Sequence, residues 1–403
     1  MSTYDPIAQE YVRLALRLGR HVEGFVDGYY GPPEFKAEAC AEEPRQVAAL
    51  RDDAARLGES IAAADMDAQR RDYITRQVRA MQTVLRRLSG EELSLSDEAQ
   101  GCFDITPLRI PESEFEAGLR ELDELLPGHG DVATRRAQWN RQFELPAERV
   151  LPVLETTLAE VRRLTQTLLD LPADEGVEIQ LVSNQPWSGY DWYLGQNHSR
   201  IDVNTDLPVR ADYAIDLLAH EAYPGHHTEH VLKEQRWYRQ AGRLEHSILL
   251  LLAPESLIAE AIATVAEDVV FPEREQRANW LRTVLYPLAG ITADVGLQLR
   301  LEQAAEKLDG VGGNAAFLLH EDRRPEEEVV AYIRQYGLRT EKEARQNVRF
   351  IRNPAFRAYI FNYFYGRRLL QQAFAVGGVR DVFRWVVSEP VTPSAIVARY
   401  KLE

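Results

Sequence analysis

His220-Glu221-Ala222-Tyr223-Pro224-Gly225-His226-His227 lies just past the middle of the chain, between two segments with helical character. Residues 211–219 carry Ala214, Ile215, Leu217 and Leu218 at apolar helical positions, and residues 228–238 (TEHVLKEQRWY) are helix-like again. Four of the nine histidines fall between positions 220 and 230. A His-Glu pair followed by further histidine is the pattern of a hydrolytic zinc site. In H-E-x-x-H two histidines four apart bind the metal from one helical face, and the Glu is general base on the metal-bound water. Here the spacing is longer. At about 100° per residue, His226 points away from His220 on a straight helix. His227 faces correctly but lies about 10 Å along the axis. Pro224 removes a helical hydrogen bond and Gly225 relaxes the backbone beside it, so a kink or π-type bulge can return a later histidine to the metal. His226 needs the smaller distortion and is the preferred second ligand, with His227 as the alternative.

A third ligand is sought on a second helix. Residues 254–268 read PESLIAEAIATVAED, with Pro254 and Glu255 suited to a helix start and Leu257, Ile258, Ala261, Ile262 and Val265 marking a buried face. Glu260 borders that face, and a carboxylate there needs a partner. Zinc is one candidate, which makes Glu260 the third ligand. Glu267, two turns on, is expected to orient a ligand histidine from behind.

The motif HExxPGHH followed by a helix of the form E-G-W-A-x-Y-x-E resembles a bacterial family labelled domain of unknown function 885, a relative of the gluzincin metallopeptidases. The first motif matches throughout. The second stands here as residues 260–267, EAIATVAE, in which both acids match and the Gly, Trp and Tyr positions do not. The resemblance covers about residues 180 to 370 and leaves the first part of the chain unmatched. It implies His220, His226 or His227, and Glu260 as ligands, with Glu221 as base. The family's Asn-Thr pair ahead of its metal motif corresponds to Asn204-Thr205, which implies a substrate contact for Asn204. A late Tyr-x-x-Gly corresponds to Tyr363–Gly366, and a histidine after a short apolar helix corresponds to His320; either would donate to the oxyanion of a tetrahedral intermediate.

Composition bounds the rest. The 403 residues are 45% hydrophobic, enough for a substantial core. With 47 Lys+Arg against 63 Asp+Glu the formal charge is −16, which argues against nucleic acid and anionic membrane as partners. Two cysteines, Cys40 and Cys102, make neither a disulfide framework nor a thiolate metal site. The opening twenty residues lack the apolar run of a signal peptide, and no long apolar stretch follows, so a soluble cytoplasmic protein is expected.

Along the chain, helical spacing predicts a helix over 5–20, two or three over 44–88, and further helices near 96–102, 111–126, 131–143 and 146–171. Residues 22–33, rich in Gly and Pro, read as a loop. The period then changes. Residues 177–182 alternate apolar and polar, residues 190–194 and 199–204 read as two more strands, and together they predict a small sheet just before the metal motif. Such an edge strand commonly pairs with an extended substrate. Helices return after Glu260, with Gly296 read as a break or a close-packing point and a break expected at residues 310–313. The expected fold is mainly α (α+β), with an N-terminal helical region over 1–175 and a metal-site region over 176–403 in one continuous unit. The expected function is zinc-dependent hydrolysis of a peptide bond. Hydrolysis of a non-peptide amide or ester on the same site, and an inactive metal-binding scaffold, are the alternatives.

Overall fold

The computed structural model describes residues 4–185, 187–206, 208–354 and 356–402. It is mainly α-helical with two small sheets. Several helices begin where a polar side chain satisfies one of their free N–H groups. Asp5 accepts from Ile7 N at 2.8 Å ahead of Pro6–Leu18, and Thr340 and Glu343 form a reciprocal cap on Glu341–Arg352. No helix among the described residues is long and apolar enough to cross a membrane.

The helix Pro254–Val270 is the axis of the structure. Its residues are apolar almost all round, and Leu257, Ile258, Ala261, Ile262 and Val265 are fully buried. That pattern belongs to a helix surrounded by others. Each such Leu, Ile or Val contributes about 1.5–3 kcal/mol by leaving water. Ala214–Glu221 packs on one side and Phe361–Gly377 on another. The second contact is unusually close: a Cβ on Gly366 would lie 2.9 Å from Ala261 Cβ and 3.2 Å from its nitrogen.

Strand β1 (Val26–Tyr29) pairs antiparallel with β5 (Ile248–Leu250). The other sheet has the order β2-β4-β3, from β2 (Gly176–Val182), β3 (Gly189–Gly195) and β4 (His198–Asn204). β2 runs parallel to β4, with Ile179 opposite Ile201, and β3 runs antiparallel, with Asp191 opposite Ile201. Gln196 and Asn197, at φ +56° and +65°, make the tight β3–β4 turn.

The structure departs from the expectations in three places. Residues 22–33 contain β1 and are not simply a loop, because Val26 and Tyr29 find cross-strand partners in Leu250 and Ile248. Gly296 lies inside Val295–Glu306, and the break falls at Gly290, where φ is +69°. Gly312 and Gly313 lie inside Val311–His320, where they let Ile360 and Phe361 approach. The principal apolar core takes Tyr11 and Phe103 from the first part of the chain and Leu257, Phe361 and Val387 from the second, so the two regions are packed on shared side chains.

Gly366→Ala should separate the two central helices or force their side chains off rotamer, at a cost of about 1–3 kcal/mol. Chemical denaturation of the variant and the parent measures it; equal midpoints and slopes would show that the contact has slack.

Candidate metal centre

The helix Ala214–Glu221 does not continue into His226–Lys233. Tyr223 N–H donates to Leu218 O, five residues back, at 3.1 Å. Gly225 N–H donates to Ala219 O and Thr228 N–H to Ala222 O, each six residues back, at 2.9 and 3.2 Å. Glu229 N–H then restores the ordinary four-residue bond to Gly225 O at 3.0 Å. Two extra residues are thus absorbed between the helices. Pro224, after a cis peptide bond, adds no donor to be satisfied. Gly225 packs so closely on the preceding turn that a Cβ would lie 1.9 Å from His220 O.

The insertion turns His226 back beside His220. Their rings stand edge to face with centroids 4.8 Å apart. Glu260 reaches them from the central helix, with Oε2 3.5 Å from His220 Nε2 and Oε1 3.9 Å from His226 Nε2. One ligand atom from each of the three lies within 4.8 Å of the others, a donor set that could hold a metal ion. The residues fit such an ion. Glu260 is 6% exposed and its Oε2 has no hydrogen-bond partner, an expensive arrangement without a cation. Burial lowers the pKa of both imidazoles, His226 further because His220 and His230 are beside it, so their nitrogens are kept as neutral lone-pair donors. Two histidines and one carboxylate are a common zinc set that leaves a position open.

Glu221 lines the same cavity, which encloses about 430 Å³. Burial raises its carboxyl well above the ordinary range, and Asp191 and Glu260 raise it further. The backbone N–H of Asp191 donates to it from β3, the edge strand of its sheet. Gly189 opens this approach: its Cα lies where a side chain would strike Leu217. Tyr359 donates to Glu260 Oε1 at 2.8 Å and fixes the carboxylate's orientation. Tyr363 also lines the cavity, its ring edge to face with Tyr359 at 5.8 Å. Burial, with the carboxylates of Glu260 and Glu221, pushes its phenol up and keeps it a donor.

Other expected site residues lie elsewhere. His227 is fully buried on the far side of the insertion, with Nδ1 2.9 Å from Ser199 Oγ and Nε2 3.1 Å from Glu175 Oε2. Asn204 directs its amide to Gln185 O and Trp187 O at 3.0 and 2.9 Å, so it shapes the turn that carries Trp187 to the cavity wall. His320 is bonded through Nε2 to Ile351 O at 2.6 Å and is not in the cavity lining. Glu267 is ion-paired with Arg277 in a second, polar cavity and does not back a ligand histidine. Tyr359 and Asp191 escaped the sequence reading. The four-residue spacing of Tyr359 and Tyr363, and the position of Asp191 ahead of the metal motif, were the available signals.

No family model matches the chain, and no curated protein does. Among the solved structures that share its fold are two described as "putative" lipoproteins. One, described as a "putative lipoprotein" from Colwellia psychrerythraea, aligns at TM-score 0.54 and 17% identity over 96% of this chain and 69% of its own. The other, a "putative lipoprotein of unknown function" from Shewanella oneidensis, aligns at TM-score 0.53 and 11% identity over 92% of this chain and 76% of its own. At these identities the likeness is one of fold.

His226→Ala should abolish metal retention after dialysis, whereas His227→Ala should retain the metal and lose stability. Metal analysis of both variants decides it, and the opposite pattern would exchange their roles. The Glu175 pin carries a pH signature. Burial pushes its carboxyl up, but hydrogen bonds from His227, Tyr223 and Arg162 prevail and hold it at about 2, against 4.5 ordinarily. Its contribution is therefore complete above about pH 4.5 and lost as the pH falls toward about 2. Urea midpoints of the chelated protein should fall more steeply over that window than those of Glu175→Gln. Parallel curves would remove Glu175 from the acid transition.

Proposed function

We propose that this chain is a zinc-dependent hydrolase that cleaves peptide bonds, related to the gluzincin-like family its motif resembles. The observation that carries the reading is the convergence of His220, His226 and Glu260 beside Glu221 on one cavity wall. Zinc in a site of three protein ligands supplies Lewis-acid polarisation of a carbonyl and lowers the pKa of water to about 7. The chain's own groups account for the rest. Glu221, with its affinity for protons raised by burial, takes a proton from the attacking water and returns it to the leaving nitrogen. Tyr359 keeps Glu260 in the orientation its ligand role requires. Tyr363, a neutral phenol facing the cavity, donates to the developing oxyanion.

The edge position of β3 favours a peptide substrate. Gly189, Tyr190 and Asp191 line the cavity from β3, an edge strand; the Asp191 N–H is given to Glu221, and an extended chain would pair with the other backbone groups of the edge that β4 does not cover. The aromatic wall from Trp187, Phe350 and Phe356 suits side chains of such a substrate.

Metal-replete protein should carry about one zinc per chain. Glu221→Gln should keep that zinc and lose turnover of the best peptide substrate by about 10²–10⁴. Tyr363→Phe should lower kcat by about 10²–10³ with unchanged zinc content. Plasma emission and steady-state kinetics on a peptide and ester panel test all three. Absence of bound zinc, or wild-type turnover by Glu221→Gln, would end the proposal.

A further inference from the structure

The cavity extends past the metal ligands along the helix His226–Lys233 to a second group of polar side chains. Glu229 and Lys233 follow His226 by one and two turns, about 5 and 10 Å. Glu229 is 3% exposed and His246 is 6% exposed. Both line the cavity, and Glu229 Oε2 and His246 Nε2 have no hydrogen-bond partner among the described residues. Their neighbours are fully engaged. Glu229 Oε1 is paired with Lys233 Nζ, and Glu255 accepts from Tyr73 O–H at 2.6 Å and from Leu250 N–H at 2.8 Å. Tyr30 donates its hydroxyl to His246 O at 2.8 Å.

From this arrangement we infer that the inner end of the cavity is a subsite for a primary ammonium group of the substrate, received by Glu229 Oε2 and His246 Nε2. Two buried acceptors facing one space need a donor. The charge balance selects a cationic donor. The lining holds six carboxylates, Asp27, Asp191, Glu221, Glu229, Glu255 and Glu260, against one Lys or Arg, Lys233. Glu221 and Glu260 belong to the metal centre and Glu229 is matched by Lys233, which leaves Asp27, Asp191 and Glu255 without a cation in the lining. A substrate carboxylate would meet these acids, and the one available cation is already paired. An ammonium brings several N–H donors and a second positive charge to a place whose one cation, Lys233, is already paired. Burial lowers the pKa of His246 well below its usual value, so the ring stays neutral and its lone pair can accept.

The subsite lies within reach of a bond held at the metal ligands. Glu229 follows His226 by about one helical turn, about 5 Å along the same helix. One extended residue spans about 3.3–3.6 Å, so a free amino terminus a residue or two from the scissile bond arrives there. A lysine side chain on the residue at the metal also arrives there.

The inference rests on the hydrolase reading only in taking this cavity as the substrate's, so its test is binding and not turnover. Three peptides of one length are titrated calorimetrically into zinc-loaded Glu221→Gln protein: one with a free amino terminus and no basic side chain, its N-acetylated form, and the acetylated form with one norleucine replaced by lysine. An ammonium-bearing peptide should bind about tenfold or more tighter than the neutral one, as a charge-assisted hydrogen bond predicts. Preference for the first peptide identifies the amino terminus as the source, and preference for the third identifies the lysine side chain. The preference should collapse toward unity in Glu229→Gln. It should rise in Lys233→Met, where the whole Glu229 carboxylate is free for the guest, and a loss of structure alone would not strengthen binding. Equal affinity for all three peptides, no saturable binding of any, or a preference untouched by both variants overturns the subsite. Ammonium-selective binding without wild-type hydrolysis would instead overturn the hydrolase and leave the subsite standing.

Discussion

The bond from Gly225 N–H to Ala219 O is possible only because nothing stands between Gly225 and the last turn of the preceding helix. Any side chain there would collide with the carbonyl of His220. That contact lets the chain take in two extra residues and still resume a helix. With it, His226 stands beside His220; on an unbroken helix it would face another direction. The opposite side of the insertion is pinned by Glu175, which receives Tyr223, His227 and Arg162. A carboxylate 5% exposed would be costly alone. Three donors satisfy it, and in return they fix Tyr223 and His227, the two residues on either side of Pro224-Gly225-His226. The histidine that does not reach the metal centre thus holds in place the one that does.

The same economy of close approach operates at the central helix. Gly366 against Ala261 brings the Phe361–Gly377 helix onto the turn that bears Glu260, and Tyr359 and Tyr363 come with it. Glu260 pays for its position with an unpartnered buried oxygen that a purely structural helix would have filled with Leu or Ala. Its neighbours on that helix are of that kind: Ala261, Ile262, Ala263 and Val265. A local breach of the polar-satisfaction rule, surrounded by residues that obey it, is what a functional position looks like.

Much of this was legible in the sequence, for definite reasons. Period-two alternation located β2, and the strand-like runs after the turn at 186–189 located β3 and β4, where Ile201 and Val203 of β4 are buried. Counting helical bonds around Pro224 and Gly225 chose His226 over His227, because only the backbone near the breaker enters that count. The less successful assignments concern side chains whose partners are remote. Asn204 and His320 spend their polar atoms on carbonyls of Gln185, Trp187 and Ile351, and Glu267 spends its charge on Arg277. Nothing local distinguishes an amide or imidazole that folds a turn from one that touches a substrate. The short strands β1 and β5 were hidden for a related reason. A four-residue strand with a glycine in it has no visible period, and its stability comes from a partner more than two hundred residues away.

Part of the cavity wall comes from the part of the chain that was hardest to read. Asp27, Tyr30 and Tyr73 belong to the first seventy-five residues, and β1 carries Asp27 to the cavity only because β5 lies beside it. The two histidines, Glu221 and Glu260 come from a compact stretch of the later chain, where spacing along a helix constrains them. Metal binding needs atoms within a few ångströms in fixed geometry, so it leaves a sequence signature. Recognition of a substrate's charge and bulk works over the whole cavity and can be assembled from any element that lines it. In this fold the candidate metal centre and the rest of the cavity lining are therefore encoded in different ways. The centre is encoded largely in the spacing of one motif, and the rest of the lining in the packing of residues from several parts of the chain, a two-stranded ribbon among them.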